Sequence, residues 1–217
     1  TIQNNVAGGD ISIGNKFYGG GVFCYGADVT ISRGTICDNQ AGLDLDNATQ
    51  KFGESYGGGI CIYNSMVTVN GCSITENRAQ YGGGAAVLSN SSFNASASGN
   101  IICNNIADTA AADVFATADV TSIQLPDASG MDAVYAADRA GKKIDGWYHD
   151  PADPRYRPNK DAQAVKVSEP LTGAQFLVAA YKHADTYTIT YTDGVDGEEV
   201  FKDQITENLK SGDKTPA

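Results

Sequence analysis

The sequence predicts an all-β protein in which short strands are wound into a solenoid of stacked coils, followed by smaller β modules. Two observations carry this prediction. Glycine runs and Ile-x-x-Asn motifs recur at similar distances, and the apolar residues between them alternate with a period of two. A third observation separates the two parts, because all six prolines lie beyond residue 125. Long regular repeats are typical of solenoids, and two-residue alternation is typical of strands.

Two motifs define the repeat. The first is Tyr-Gly-Gly-Gly, which begins at Tyr18, Tyr56 and Tyr81. The second is Ile-x-x-Asn, which ends at Asn5, Asn39, Asn77 and Asn105, so that successive asparagines are 34, 38 and 28 residues apart. Paired strands bring equivalent positions to about 4.8 Å. We therefore expect a structural asparagine ladder, in which each side-chain amide bonds the next coil.

Alternation gives each coil an inner and an outer side. Val22 and Cys24 alternate in the first copy, and Ile60 and Ile62 alternate in the second. These positions predict strands whose β-branched side chains point into a shared core. The glycine runs mark bends, because glycine adopts a positive φ at little cost.

Stacking would also arrange tyrosines in columns. One column would contain Tyr18, Tyr56 and Tyr81, and a second would contain Tyr25 and Tyr63. Aromatic faces bind sugar rings, so these five tyrosines are the candidate binding residues. The alternative is a purely structural column that covers the flank of the solenoid.

The glycine run followed by Val, Ile or Ala, paired with Ile-x-x-Asn, resembles the repeats of polymorphic outer-membrane and related bacterial surface proteins. The resemblance covers about residues 1–120. It implies a right-handed parallel β-helix with pectate-lyase-like architecture. The same solenoid carries adhesins and polysaccharide-cleaving enzymes, so the resemblance indicates a fold more closely than an activity.

The rest of the chain resembles a second family. Residues 142–182, which include Gly146-Trp147, are similar to the second half of an internalin-type B-repeat (the Listeria–Bacteroides repeat), and residues 187–217 are similar to the first half of another unit. The resemblance implies small β-grasp-like modules. We expect an N-terminally truncated β-helix of three to four coils over 1–125, a B-repeat-like half over 126–184 and a partial module over 185–217.

Charge and hydropathy restrict the partners. The 15 basic and 26 acidic residues give a net charge of −11, which argues against binding to nucleic acid or to anionic lipid heads. The sequence contains no apolar run of about 18 residues, so we expect no membrane span. The family resemblance implies an extracellular or cell-surface location, with a glycan or a host surface protein as the partner.

The five cysteines are predicted to be unpaired. Cys37 and Cys103 occupy the same repeat position but lie two coils apart. That separation is about 9.6 Å, which exceeds the roughly 7 Å that a disulfide spans. Cys24 and Cys72 share the inward parity of the core, where a free cysteine behaves as a small apolar residue.

No catalytic or metal-binding constellation is evident. His149 and His183 lie outside the repeats, and the sequence shows no zinc spacing. A polysaccharide-active enzyme, lyase or glycoside hydrolase, would draw its acids from Asp38, Glu76, Asp44 and Asp46. We expect no cofactor, although Ca²⁺ on the acidic stretch Asp193, Asp196, Glu198 and Glu199 is an alternative to a solvated surface.

These observations predict a non-enzymatic bacterial surface or secreted protein, an adhesin or stalk that presents a binding face to a glycan or host ligand. The polysaccharide-active enzyme is the first alternative. A purely structural spacer is the second.

Overall fold

A computed structural model of the chain describes residues 1–10, 14–44, 53–128, 131, 144–150, 161–181, 187–191 and 204–209. The protein is all-β, because these residues form strands and no α-helix. They belong to two compact units, Thr1–Tyr181 and Lys182–Ala217. The described part of the chain also contains no helix that is long and apolar enough to cross a membrane.

Eighteen strands come from the repeats and the residues that follow them directly: β1 (Ile2–Gln3), β2 (Val6–Gly9), β3 (Phe17–Tyr18), β4 (Val22–Tyr25), β5 (Asp28–Ser32), β6 (Thr35–Cys37), β7 (Gln40–Asp44), β8 (Ser55–Tyr56), β9 (Ile60–Tyr63), β10 (Met66–Asn70), β11 (Ser73–Thr75), β12 (Arg78–Tyr81), β13 (Ala85–Leu88), β14 (Ser92–Asn94), β15 (Ile101–Cys103), β16 (Ile106–Ala110), β17 (Val114–Ala116) and β18 (Ser122–Gln124). Five more follow: β19 (Ile144–His149), β20 (Gln163–Val165), β21 (Gln175–Tyr181), β22 (Tyr187–Tyr191) and β23 (Gln204–Leu209).

Equivalent strands of successive repeats pair in parallel and form four sheets. Sheet 1 has the order β1-β6-β11-β15, and sheet 2 has the order β5-β10-β14-β18. Sheet 3 contains β2, β3, β7, β8, β12 and β16, with β7 and β8 both beside β12. Sheet 4 begins β4-β9-β13-β17. The sequence repeat thus becomes a strand-by-strand register between neighbouring repeats.

The core is made of columns that this register aligns. In sheet 1, Ile2, Ile36, Ile74 and Ile102 are aligned from strand to strand. In sheet 2, the aligned residues are Val29, Val67, Phe93 and Ile123. The middle members of both columns are fully buried and belong to one apolar cluster. Because no single repeat encloses its own apolar residues, the stability of each depends on its neighbours.

Residues with positive φ occur at equivalent bends. The residue before each ladder asparagine has φ between 56° and 58°, and these residues are Asn4, Asp38, Glu76 and Asn104. The first glycine of each run has φ between 64° and 68°, and these residues are Gly19, Gly57 and Gly82. Each of these left-handed residues lies at a bend between two consecutive strands. Glycine and asparagine tolerate this conformation better than glutamate does.

The second and third glycines are required by close packing rather than by their dihedral angles. A Cβ atom on Gly58 would lie 2.4 Å from the carbonyl oxygen of Arg78, and one on Gly59 would lie 2.9 Å from Nδ2 of Asn77. Gly20 and Gly83 are equally close to neighbouring backbone. The glycine run and the Ile-x-x-Asn motif therefore recur together because they pack against each other.

Residues beyond 125 continue sheet 4 with the opposite strand direction. Strand β21 pairs antiparallel with β17, and β19 and β20 extend the sheet. Trp147 is buried in the same apolar cluster as the repeats, and its Nε1 donates to the carbonyl of Pro126 at 2.9 Å. The boundary predicted at residue 125 thus falls within the unit Thr1–Tyr181.

The unit Lys182–Ala217 contains the strands β22 and β23, which pair antiparallel. The alternation of Tyr187–Tyr191 in the sequence predicts the first of these strands.

Candidate binding face

One predicted tyrosine column lies at the end of sheet 3, next to sheet 4, and the other lies on sheet 4. Tyr18, Tyr56 and Tyr81 end β3, β8 and β12, immediately before the glycine runs. The rings of Tyr18 and Tyr56 stack with centroids 5.6 Å apart, and those of Tyr56 and Tyr81 stack at 5.3 Å. Tyr25 and Tyr63 stack at 5.6 Å in a second column. All five candidate binding residues are thus brought to one side of the protein.

Three phenylalanines that the sequence analysis missed join these columns. Phe23 stacks on Tyr18 at 5.6 Å, and Phe115 lies 5.2 Å from Tyr81. Phe176, from β21, contacts Phe115 edge-on at 5.5 Å. We name this surface the aromatic face, and it consists of Tyr18, Phe23, Tyr25, Tyr56, Tyr63, Tyr81, Phe115 and Phe176. The alternation of β4 could have revealed Phe23, since it lies between the inward positions Val22 and Cys24.

Part of the aromatic face has a structural role. Beneath the tyrosines, the outward positions of β9 and β13 carry Cys61, Ala86 and Leu88, which are buried and packed against Tyr18, Tyr56, Tyr63 and Phe115. Small side chains leave room for rings that fold over the sheet. These buried contacts support the structural reading for the middle of the columns.

The solvent-exposed part of the aromatic face lies on β4. Phe23 is 47% exposed and Tyr25 is 69% exposed, whereas Tyr18, Tyr56, Tyr63 and Tyr81 are half-buried. An exposed group of aromatic rings costs solvation free energy unless a ligand covers it, which is why such patches mark interaction sites. The face is therefore best suited to binding at its β4 end.

Charged groups border the aromatic face where β3 and β8 begin. Lys16 Nζ lies 2.6 Å from Glu54 Oε1, and the Tyr56 hydroxyl donates to the same oxygen at 2.7 Å. The hydrogen bonds from Lys16 and Tyr56 lower the pKa of Glu54. Burial, and then the hydrogen bond to Glu54, raise the pKa of Tyr56, so its hydroxyl stays protonated and remains a donor. We name Lys16, Glu54 and the Tyr56 hydroxyl the polar edge.

The four ladder asparagines bond to one another in sequence. Nδ2 of Asn5 donates to Oδ1 of Asn39 at 2.9 Å, and the same bond links Asn39 to Asn77. Nδ2 of Asn77 donates to Oδ1 of Asn105 at 3.0 Å. The last three asparagines are buried, so the ladder is part of the interior and is inaccessible to a ligand.

The ladder ends on an acid that the sequence analysis missed. Nδ2 of Asn105 donates to Oδ1 of Asp113 at 2.9 Å, and the backbone N–H of Ala179 donates to Oδ2 at 2.8 Å. Asp113 is 1% exposed. A buried carboxylate therefore joins the ladder to strand β21.

Two acids of the alternative enzyme hypothesis occupy equivalent bends of neighbouring repeats. Asp38 and Glu76 are bend residues with φ of 56° and 57°. Asp44 ends β7, and Asp46 lies outside the described residues. In the described part of the chain, no group of three or more His, Cys, Asp or Glu side chains could hold a metal ion. The acidic stretch that includes Asp193 lies outside that part.

His149 lies at the end of β19. Burial lowers the pKa of its imidazole. It borders an open cavity of about 470 Å³ together with Lys166, Ser168 and Glu169. Those three side chains are exposed, and in the described ranges no hydroxyl or thiol is hydrogen bonded to His149, so the described residues form no nucleophile–base pair there. His183 lies outside the described residues.

All five cysteines are free thiols. In sheet 1, Thr75 lies between Cys37 and Cys103, which places these two thiols two strands apart. Four of the thiols are buried, and Cys37 is half-buried. Burial and the neighbouring Asp38 raise the pKa of Cys37 to about 11 from its ordinary value of 9.0.

We expect Cys37 to be alkylated first, at a rate that rises about tenfold per pH unit between pH 8 and pH 10. The raised pKa keeps the thiolate a small fraction throughout this range, and the thiolate is the reactive form. Iodoacetamide labelling followed by peptide mass spectrometry would measure the rate. Cys61 is the internal control, because burial raises its pKa further and excludes the reagent. A Cys37 rate that levels off near pH 9, or equal labelling of Cys61, would contradict this expectation.

Comparisons with protein-family profiles, with curated proteins and with solved structures found no match to this chain.

Proposed function

We propose that the chain is a non-enzymatic protein of a bacterial surface or of a secreted assembly, and that its aromatic face binds a glycan. The observation that carries this proposal is the exposure of Phe23 and Tyr25 at the end of a continuous aromatic surface. In this view the sheets of the repeats form a stalk on which the face is rigidly presented.

We also propose that the repeats form a right-handed parallel β-helix. The parallel register of equivalent strands supports this reading, as does the recurrence of left-handed residues at equivalent bends. Handedness follows from a general rule, because about 98% of connections between parallel strands of one sheet are right-handed. The resemblance of residues 1–120 to polymorphic outer-membrane repeats, and of residues beyond 142 to B-repeats, remains an expectation on which the bacterial surface location rests.

A glycan suits the aromatic face for a physical reason. The C–H faces of a sugar ring are apolar and pack on aromatic rings, while its hydroxyls need polar partners around the same site. The aromatic face has such partners, since the polar edge touches it through the hydroxyl of Tyr56. A host surface protein would need a larger apolar contact and is the second candidate ligand.

Replacement of Tyr25 or Phe23 by alanine is expected to weaken binding to a neutral polysaccharide by at least about tenfold, or ~1.4 kcal/mol. Immobilised mannan, galactan, arabinoxylan and mucin would serve as probes in a binding assay with the purified chain. Met66→Ala is the matched control, because Met66 is 55% exposed but lies on sheet 2.

The alternatives predict different outcomes in the same assay. New reducing ends that disappear in Asp38→Asn or Glu76→Gln would replace the proposal with the polysaccharide-active enzyme. Binding to none of the probes would favour the structural spacer. Equal binding by Tyr25→Ala and the parent protein would move the site away from the aromatic face.

A further inference from the structure

The polar edge is held in place by the strands on which its residues lie. Lys16 precedes β3 and Glu54 precedes β8, and the backbone N–H of Phe17 donates to the carbonyl of Glu54 at 3.0 Å. This bond and the pairing of β3 with β8 keep the two side chains side by side. The Tyr56 hydroxyl also donates to the Glu54 carboxylate at 2.7 Å and holds it in place.

The polar edge has hydrogen-bonding capacity that the described residues leave unused. Lys16 and Tyr56 both contact Oε1 of Glu54, so Oε2 accepts no hydrogen bond from any residue that the structure describes. The ammonium group of Lys16 has three N–H donors and, within the same part of the chain, one partner. The Lys16 and Glu54 side chains are 50% and 39% exposed, so a ligand can reach both. An ion pair this exposed adds little to stability, so folding alone gives little reason for it.

We propose that Lys16 and Glu54 are the hydroxyl-recognising half of the glycan site, and that the preferred ligand is a neutral sugar with two adjacent free hydroxyls. This inference rests on the proposed function, because the sugar ring would lie on the aromatic face. One hydroxyl donates to Oε2 of Glu54, and its neighbour accepts from Nζ of Lys16. A hydroxyl both donates and accepts, so adjacent hydroxyls match a carboxylate beside an ammonium group.

The charges at the polar edge and on the whole chain disfavour the binding of acidic sugars. The Lys16–Glu54 pair has no net charge, and the whole chain carries −11. A uronic or sialic acid would bring a carboxylate next to Glu54 and into the field of an acidic protein, and like charges repel. The same site should therefore bind neutral polysaccharides more tightly than acidic ones.

The test uses the full chain, with soluble mannan and galactan as neutral probes and polygalacturonate as the acidic probe. Glu54→Gln and Lys16→Met are each expected to weaken binding to the neutral probe by about 10- to 100-fold, the usual effect of losing hydrogen bonds to charged groups. Glu169→Gln and Lys166→Met are the matched controls, because they remove the same charges at exposed positions away from the polar edge. Melting temperatures of all four variants would show whether each remains folded.

The pattern across variants separates this inference from the proposed function. Weakened binding in Glu54→Gln and Lys16→Met, with unchanged controls and a parent preference for neutral probes, supports it. Unchanged neutral binding in both variants, together with lost binding in Tyr25→Ala, overturns it and leaves the proposed function standing. Tighter binding to polygalacturonate than to the neutral probes also overturns it. No binding of any probe by the parent protein overturns the proposed function itself.

Discussion

Gly58→Ala is expected to lower the free energy of unfolding by about 3 kcal/mol. The new methyl group would lie 2.4 to 2.5 Å from the carbonyl oxygen, carbonyl carbon and amide nitrogen of Arg78. All three are backbone atoms of a paired strand, so no side chain can rotate away to relieve the overlap. Urea unfolding followed by circular dichroism would measure the change.

Gly34→Ala is the matched control for this variant. The nearest atom to its added methyl group is Cγ2 of Ile31 at 3.8 Å, which is ordinary contact, and Gly34 does not have a positive φ. We expect a change within about 0.5 kcal/mol, or a slight gain from the less flexible unfolded chain. If both variants unfolded at the same urea concentration, close packing would not be the reason for the glycine runs.

Asn77→Ala is expected to cost about 4 kcal/mol, because the side chain makes four buried hydrogen bonds. Oδ1 accepts from the backbone N–H of Asn39 at 3.1 Å and from its Nδ2 at 2.9 Å. Nδ2 donates to the carbonyl of Ile36 at 2.9 Å and to Oδ1 of Asn105 at 3.0 Å. Alanine would leave these four partners buried without the bonds that offset their desolvation.

Two other asparagines provide the controls for Asn77→Ala. Asn5 is exposed and makes its ladder bonds on one side only, so Asn5→Ala should cost less than half as much as Asn77→Ala. Asn70 is half-buried at the end of β10, and Asn70→Ala should change the free energy of unfolding by less than about 0.5 kcal/mol. Equal losses for Asn5 and Asn77, measured by urea unfolding, would refute the ladder as a source of stability.

The features that follow from the repeat could be predicted from the sequence. The equivalence of Asn39 and Asn77, or of Tyr18 and Tyr56, can be read from the motifs, and parallel pairing then determines their contact. The aromatic face was predicted incompletely, because Phe176 reaches it through antiparallel pairing with a strand about 60 residues earlier in the chain. No local pattern encodes such a pairing. The polar edge was missed although the repeat register contains it. Lys16 and Glu54 each lie two residues before the tyrosine of a Tyr-Gly-Gly-Gly motif, so the pairing of β3 with β8 brings them together.

In the asparagine ladder, each side-chain Nδ2 donates to Oδ1 of the next residue, and the last acceptor is Asp113. Val114 is aligned with Ala85, so Asp113 occupies the position that the third glycine, Gly84, holds one repeat earlier. There the carboxylate takes the place of the next amide. It receives Nδ2 of Asn105 on one oxygen and the backbone N–H of Ala179 on the other, so both oxygens accept a hydrogen bond. Asparagine at this position would turn an N–H towards one of those two donors. A single oxygen in place of an amide nitrogen thus lets the last residue of the ladder bond to β21, the strand that pairs antiparallel with β17.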